Sequence, residues 1–196
     1  MKKILALGGT LALALSLSAC GGGGKAADAP APAPETKTGI ISTTDDTTLP
    51  EVKKEEKAIT GAKALDEKWE TEAEKVRDSK GWDDFGSSAT SSFQAFDDDK
   101  IESYEHYSNF NDEWKAGDKV KFTFICQTKE PMTTQVFVSP QEDEEDKGQL
   151  TEFGCGVDKP AEGTWEYTLP MDSSNLTVNK VQRPIEGYFV LHYEKM

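Results

Sequence analysis

The alternation of side chains from Val120 to Gln127 constrains the fold more than any other feature of the sequence. Val120, Phe122, Phe124 and Cys126 are apolar and occupy every second position, while three of the four positions that alternate with them are polar. Successive side chains of a β-strand point to opposite faces of a sheet. The segment therefore predicts a strand with one buried face.

Seven further segments carry strand patterns. The three clearer ones cover 133–139, 165–169 and 188–194, and the four weaker ones cover 91–96, 101–107, 149–156 and 176–182. In the last of the clear strands, Phe189, Leu191 and Tyr193 are expected to face inward. Turn residues separate the strands, and strands do not alternate with helices. About eight short strands in about 110 residues predict a mainly β fold, an antiparallel β-sandwich over 82–196.

A helical pattern precedes the sandwich. Apolar residues recur at spacings of three and four, namely Ala58, Ala62, Leu65, Trp69, Ala73 and Val76. This spacing predicts one amphipathic helix over 58–80 that stops before Gly81. Two interpretations are open: the helix packs on the following domain, or its thin apolar face forms a short coiled coil with another copy.

Residues 20–57 have the composition of a flexible tether. Four glycines at 21–24 are followed by alternating alanine and proline at 29–34, and then by mostly polar residues. Glycine-rich segments behave as loose coils, and prolines extend the chain. Such a stretch has too little apolar surface to form a core. We therefore expect 20–57 to be disordered.

The first 19 residues have the pattern of a secretory signal. Two lysines precede an uncharged, largely apolar run over 4–17, which is too short to cross about 30 Å of hydrocarbon comfortably. The next motif, Leu17-Ser18-Ala19-Cys20, resembles the lipobox of bacterial lipoproteins. The resemblance implies that the signal peptide, 1–19, is removed and that Cys20 carries a diacylglycerol and an acylated amino terminus, with fatty acids such as palmitate.

The residue after the lipobox cysteine bears on location. Gly21, not an aspartate, follows Cys20. In diderm members of the lipoprotein family this departure from the retention signal implies sorting to the outer membrane. In a monoderm bacterium it implies only the outer face of the plasma membrane. The resemblance thus places the chain in the cell envelope, with the membrane as a partner through its lipid.

Two cysteines remain once Cys20 is lipidated. Cys126 and Cys155 lie in an exported chain, where an even pair favours one disulfide over two free buried thiols. A loop of about 30 residues would be worth roughly 3–4 kcal/mol in the chain-entropy model. No Cys-X-X-Cys motif is present, so the sequence does not favour a redox catalyst or a zinc knuckle.

The net charge of −14 limits the classes of partner. Nucleic acids require a basic surface, so we expect no nucleic-acid partner. Acidic surfaces also do not adhere to anionic membranes. If the protein is held at a membrane, its lipid must hold it there, and two or three acyl chains suffice for stable anchoring.

No catalytic constellation is visible, and we expect the protein not to be an enzyme. His106 and His192 are the two histidines, and neither has the spacing of a zinc site. No Gly-X-Ser-X-Gly motif presents a nucleophile. We expect no cofactor; the alternative is calcium at the acidic turn Asp97-Asp98-Asp99, which lacks the usual Asp-X-Asp-X-Asp-Gly pattern.

Aromatic side chains are dense at the start of the sandwich. Four of them, Trp82, Tyr104, Tyr107 and Trp114, are candidates for ligand binding. Rings that face solvent can stack on the apolar C–H faces of sugars, whereas rings that face inward fill the core. The sequence leaves both interpretations open for each ring.

Three segments resemble strands and turns of carbohydrate-binding jelly rolls, namely Asp112–Phe122, Gly163–Tyr167 and Gly187–Leu191. The resemblance covers 82–196 and implies a non-catalytic domain that binds carbohydrate or another polymer of the cell envelope. The alternative is a structural or assembly lipoprotein that docks an envelope protein through its helix or a sheet edge. The family's binding residues vary, so the resemblance assigns none here.

Overall fold

A computed structural model describes residues 37–51, 54–83, 86–103, 105–140, 147–181 and 183–196, all within the unit Glu35–Met196. The signal peptide, Cys20 and residues 20–36 of the expected tether lie outside the described residues. Within the described ranges, no helix has both the length and the apolar content that crossing a bilayer requires.

The described part of the chain forms eleven strands and one helix. In chain order these are β1 (Gly39–Thr48), β2 (Glu56–Ala58), α1 (Ala62–Ser79), β3 (Ser87–Ser91), β4 (Lys100–Glu102), β5 (Glu105–Trp114), β6 (Lys119–Thr128), β7 (Thr133–Ser139), β8 (Lys147–Gly154), β9 (Ala161–Thr168), β10 (Ser173–Val181) and β11 (Gly187–Lys195).

Two antiparallel sheets form the sandwich. The five-stranded sheet has the order β1-β8-β7-β10-β5, and the four-stranded sheet has the order β3-β11-β6-β9. Strands β2 and β4 form a separate two-stranded sheet. The mainly β, antiparallel architecture predicted from the sequence is therefore confirmed.

The main core lies between the two sheets. Phe122 and Phe124 of β6 are fully buried there, as the alternation in this strand predicts. The Phe124 ring meets the Phe153 ring edge-on at a centroid distance of 4.9 Å, which joins β6 to β8 of the other sheet. In β11, Phe189 and Leu191 are buried in this core and Tyr193 packs against it, so the inward set is confirmed.

The disulfide between Cys126 and Cys155 is present, with a Cα–Cα distance of 5.1 Å. Cys126 belongs to β6 and Cys155 directly follows β8, so the bond links the two sheets. Both residues are fully buried in the main core.

Helix α1 packs on the outer face of the four-stranded sheet. Ala73 is buried with Tyr188 and Val190 of β11, and Trp69 and Val76 pack against this cluster. The Trp69 and Tyr188 ring centroids lie 6.0 Å apart. The apolar face of the helix is thus covered by its own domain. This arrangement matches the packing interpretation and leaves a coiled coil little apolar surface to use.

The helix begins at Ala62, later than the predicted Ala58. Glu56–Ala58 is instead β2, paired with β4. Gly61 then adopts a left-handed φ of 76°, and its amide and that of Ala62 donate hydrogen bonds to the Asp98 carbonyl. A left-handed residue bonded to a remote turn is incompatible with a continuing helix.

The tether prediction is wrong for Gly39–Thr48, which forms β1 at the edge of the five-stranded sheet. The segment has no alternating apolar pattern that would have predicted a strand. Backbone hydrogen bonds to β8 hold it in the sheet. Its threonines favour extended backbone, and Ile40 pairs with Phe153 at the start of the strand.

Other strand boundaries also differ from the sequence pattern. The predicted 91–96 strand is replaced by β3 at Ser87–Ser91. The predicted 101–107 strand is divided between the short β4 and the longer β5. Strand β7 occupies Thr133–Ser139, as predicted.

Candidate functional site

A row of side chains crosses the outer face of the five-stranded sheet. Cross-strand pairing places one residue of each strand in register, and we call this set the Tyr107 row: Thr44, Leu150, Phe137, Asn179 and Tyr107. Residues in register on one sheet face are close enough for their side chains to touch one partner.

The alternation of β5 and β10 turns this row away from the core. Leu176 and Phe110 form a register pair and are both buried in the main core. Asn179 lies three residues after Leu176, and Tyr107 lies three residues before Phe110, so both have the opposite parity. Their side chains consequently lie on the outer face.

Tyr107 is the exposed ring of the row, with 47 % of its surface accessible. Its hydroxyl lies 3.4 Å from Thr177 Oγ1 on the neighbouring β10. Thr177 and Asn179 beside it are almost fully buried. The ring therefore has a fixed polar neighbour on one side and solvent on the other.

Phe137 is the middle member of the row and is buried, with 2 % of its surface exposed. Glycine is required next to it. A Cβ atom at Gly148 would lie 2.8 Å from Phe137 Cζ and 2.1 Å from the Val138 carbonyl oxygen. Distances this short are not tolerated, so Gly148 allows the ring and the β7 backbone to approach β8 closely.

A second row, two residues along the strands, carries a carboxylate. Glu152 Oε2 accepts a hydrogen bond from Ser42 Oγ at 2.8 Å, and Oε1 accepts one from Gln135 Nε2 at 3.2 Å. Both donors come from adjacent strands in register with Glu152. The two rows are about 7 Å apart by strand geometry. Together they offer one exposed ring, amides and an oriented carboxylate.

The three aromatic candidates that the structure describes, Trp82, Tyr107 and Trp114, do not come together. Trp82 packs with the helix on the other side of the sandwich, where it stacks on His192 at a centroid distance of 4.4 Å. Lys80 Nζ lies 5.8 Å from the centre of the same ring. Tyr104 lies outside the described residues. Tyr107 is thus separated from Trp82 by the thickness of the sandwich.

Trp114 is fully buried and cannot form part of an exposed platform. Its Nε1–H donates a hydrogen bond to the Phe110 carbonyl at 3.1 Å, and its ring meets Tyr193 edge-on. The indole thereby satisfies its polar group while it fills the core. Of the two interpretations open for this ring, the structure therefore matches core packing.

In the acidic turn Asp97-Asp98-Asp99, the first carboxylate stabilises the turn itself. Asp97 Oδ1 accepts hydrogen bonds from the amides of Asp99 and Lys100 at 2.9 and 3.1 Å. Among the described residues, no three His, Cys, Asp or Glu side chains converge as a metal site would require. The calcium alternative at Asp97, Asp98 and Asp99 therefore receives no geometric support.

Sequence reasoning missed Asn179, Gln135 and Glu152, the polar members of the outer face. The sequence predicted the strands that carry them. It did not predict the register between those strands, which brings the three side chains together. The parity of β10, with Leu176 and Val178 buried, was the one available signal that Asn179 faces outward.

Comparisons with known proteins give distant structural likenesses. No protein-family model and no curated protein matches the chain. A structure described as "CBM4 structure and function" aligns with a TM-score of 0.39 and 10 % identity over 47 % of this chain, and the alignment spans 61 % of that protein.

Two further structures align at similar levels. A putative sugar-binding protein from Bacteroides thetaiotaomicron VPI-5482 has a TM-score of 0.33 and 10 % identity over 58 % of this chain and 84 % of its own. The CBM22-1 xylan-binding domain from Paenibacillus barcinonensis Xyn10C has a TM-score of 0.32 and 10 % identity over 82 % of this chain and 97 % of its own.

Proposed function

We propose that this protein is a lipid-anchored, non-catalytic binding protein whose β-sandwich takes a carbohydrate on the outer face of its five-stranded sheet. The observation that supports this most strongly is the half-exposed ring of Tyr107 in register with the Asn179 amide on the outer face of the sheet. The ligand would be a glycan of the cell envelope or of the surroundings.

The chemistry of the face suits a neutral sugar. A pyranose presents an apolar C–H face and a rim of hydroxyl groups. The Tyr107 ring can cover the C–H face, since aromatic rings bury large apolar area. The amides of Asn179 and Gln135 can donate and accept, and the Glu152 carboxylate accepts hydrogen bonds from hydroxyl groups.

The charge of the chain favours ligands without acidic groups. The net charge is −14, and the Glu152 carboxylate lies on the face itself. A polyanionic glycan would have to overcome both the long-range repulsion and the desolvation of this carboxylate. We therefore expect neutral polysaccharides to bind and sulfated or uronic-acid polymers not to bind.

The membrane part of the proposal rests on the sequence at Cys20. Acyl chains on Cys20 would anchor the protein, and residues 21–36 would separate the domain from the lipid. The location would be the outer membrane of a diderm or the outer face of a monoderm plasma membrane. A Cys20→Ala variant should leave the membrane fraction, whereas retention of this variant in that fraction would contradict lipid anchoring.

The alternative is an assembly protein that docks an envelope protein. The structure leaves fewer surfaces for such docking than the sequence suggested. The apolar face of α1 is covered by β11, so a partner could not use it without displacing the helix. The sheet edges at β1 and β5 remain available in the topology. Binding through an edge would not depend on the Tyr107 ring.

The test uses the mature chain with Cys20→Ser, which cannot be lipidated and keeps the edge strand β1. Affinity gel electrophoresis through neutral polysaccharides should show retardation by at least one of them. Tyr107→Ala should abolish the retardation, and Trp82→Ala, a ring on the opposite side, should preserve it. The proposal fails if no polysaccharide retards the chain, or if both variants behave alike.

A further inference from the structure

A pocket of about 530 Å³ lies at one edge of the sandwich, where its lining residue Gln149 faces the side of β8 opposite to Leu150 of the Tyr107 row. It is lined by the end of β1, the start of β8 and the end of β9, through Asp45, Lys147, Gln149, Glu166 and Tyr167 among others. Its volume is within the range of small-molecule sites. Nothing in the proposed glycan site uses these side chains.

A β-bulge shapes one wall of the pocket. In the β1–β8 pairing, Thr44 is opposite Leu150 and Thr47 is opposite Gly148, so two residues, Asp45 and Asp46, face a single one. Bulges at sheet edges redirect side chains. Here the bulge places the Asp45 carboxylate against Gln149, whose Nε2–H donates to Asp45 Oδ1 at 2.8 Å.

Two oxygens of the pocket-lining side chains lack a hydrogen-bond partner within the described part of the chain. They are Gln149 Oε1 and the Tyr167 hydroxyl, on side chains that are 7 % and 5 % exposed. A buried polar atom without a partner costs about 1–3 kcal/mol. Burial and the nearby Asp45 also raise the pKa of Tyr167 to about 12, so its hydroxyl stays neutral. A ligand that supplies hydrogen-bond donors would remove this cost.

The charges of the lining favour a positive ligand. Three acidic residues, Asp45, Asp46 and Glu166, belong to the lining, against the single cationic residue Lys147. Lys147 Nζ already pairs with Asp46 at 3.2 Å. The remaining carboxylates are those of Asp45 and Glu166. A metal ion is not favoured, because no three His, Cys, Asp or Glu side chains of the described residues converge on one point.

From these observations we infer that the pocket is a second binding site, specific for a small organic cation that carries a protonated amine. The amine would donate to Asp45 Oδ2 and Gln149 Oε1, and Glu166 would supply further electrostatic attraction. An ammonium group has three donors and no acceptor, which matches a lining with surplus acceptors. The site is independent of the glycan face.

The test compares two sugars that differ in one group. Glucosamine and glucose are titrated at pH 6 and constant ionic strength into the ¹⁵N-labelled mature chain with Cys20→Ser. Glucosamine should cause saturable shifts of the amides of Gly148, Gln149, Glu166 and Tyr167. Glucose should bind there at least about tenfold more weakly, as the loss of a charge-assisted hydrogen bond predicts.

Two matched variants complete the test. Asp45→Asn removes the charge but keeps an oxygen for Gln149, and should weaken glucosamine binding about tenfold or more. Asp158→Asn removes an exposed charge outside the pocket lining and should leave binding unchanged. Equal binding of the two sugars, no saturable shift at the pocket amides, or equal loss in both variants would overturn the inference.

Discussion

Asn179 and Tyr107 are a register pair between β10 and β5, with the amide side chain almost fully buried and the ring half-exposed on the same sheet face. The buried Asn179 side chain therefore lies directly beside the exposed Tyr107 ring on this face. A ligand that covers the ring would lie beside the amide. The two residues should therefore act together in binding.

Replacing Asn179 by Ala should weaken polysaccharide binding about tenfold, because one hydrogen bond to the ligand is lost. Tyr107→Phe should change affinity by less than about threefold, since the ring remains and only the hydroxyl beside Thr177 is removed. Isothermal titration with a retained polysaccharide measures both variants. A larger loss for Tyr107→Phe than for Asn179→Ala would contradict the role given to the ring.

Lys180 should make stability depend on pH. Its side chain is fully buried, its Nζ donates a hydrogen bond to Ser88 Oγ at 3.1 Å, and burial lowers its pKa from 10.5 to about 7. Between these two values the unfolded chain holds more protons than the folded one, so the free energy of unfolding rises with pH. Below about pH 7 the folded state bears the full cost of a buried charge.

The Lys180→Met variant tests this dependence. The slope contributed by Lys180 approaches about 1.4 kcal/mol per pH unit within the window. Urea unfolding between pH 6.5 and 9.5 should show a positive slope for the natural chain that is reduced in Lys180→Met. The variant should also be the more stable protein at pH 6.5. Parallel curves for the two proteins would show that Lys180 does not titrate as described.

The disulfide should contribute about 3–4 kcal/mol, since it closes a loop with a sequence separation of 29. Replacing both Cys126 and Cys155 by Ala removes the bond without leaving a buried thiol, and should lower the urea midpoint accordingly. Dithiothreitol should lower the midpoint of the natural chain and leave that of the variant unchanged. Two reactive thiols in the denatured mature chain, besides blocked Cys20, would contradict the pairing.

Asp66 should anchor the segment after β3 to the helix. Its Oδ1 accepts a hydrogen bond from Ser91 Oγ, and its Oδ2 accepts one from the Ala95 amide at 3.1 Å. Asp66→Ala should cost about 1–3 kcal/mol, because it leaves the Ala95 amide unsatisfied, while Ser91 Oγ keeps the Phe93 carbonyl as its acceptor. Glu67→Ala, an exposed position on the same helix, is the control and should cost under about 0.5 kcal/mol. Equal thermal midpoints for the two variants would contradict the anchor.

The strands that the sequence predicted well share one physical property. In β6, β7 and β11 the apolar residues are buried, so the pattern of apolar residues along the sequence already identifies these strands. The disulfide was predictable for a related reason: an exported chain with one even cysteine pair has few alternatives. The packing side of α1 followed from its spacing of apolar residues.

Features that depend on main-chain hydrogen bonds or on the register between strands could not be predicted from apolar patterns. Strand β1 is joined to β8 by main-chain hydrogen bonds, and its Thr-Asp sequence has the composition of a tether. The density of aromatic residues along the sequence suggested a cluster of rings, but neighbours in sequence went to opposite faces. Tyr107 and Trp114 belong to one strand, yet one is half-exposed and the other fully buried.

Chemical-shift mapping tests most directly whether the outer face of the five-stranded sheet binds a glycan. The retained polysaccharide, cut to short oligosaccharides, is titrated into the ¹⁵N-labelled chain. We expect the largest shifts at the amides of Tyr107, Gln135, Phe137 and Asn179, with little change around Trp82 and His192. Largest shifts near Trp82, or near Gln149 and Tyr167, with an unchanged Tyr107 row, would contradict it.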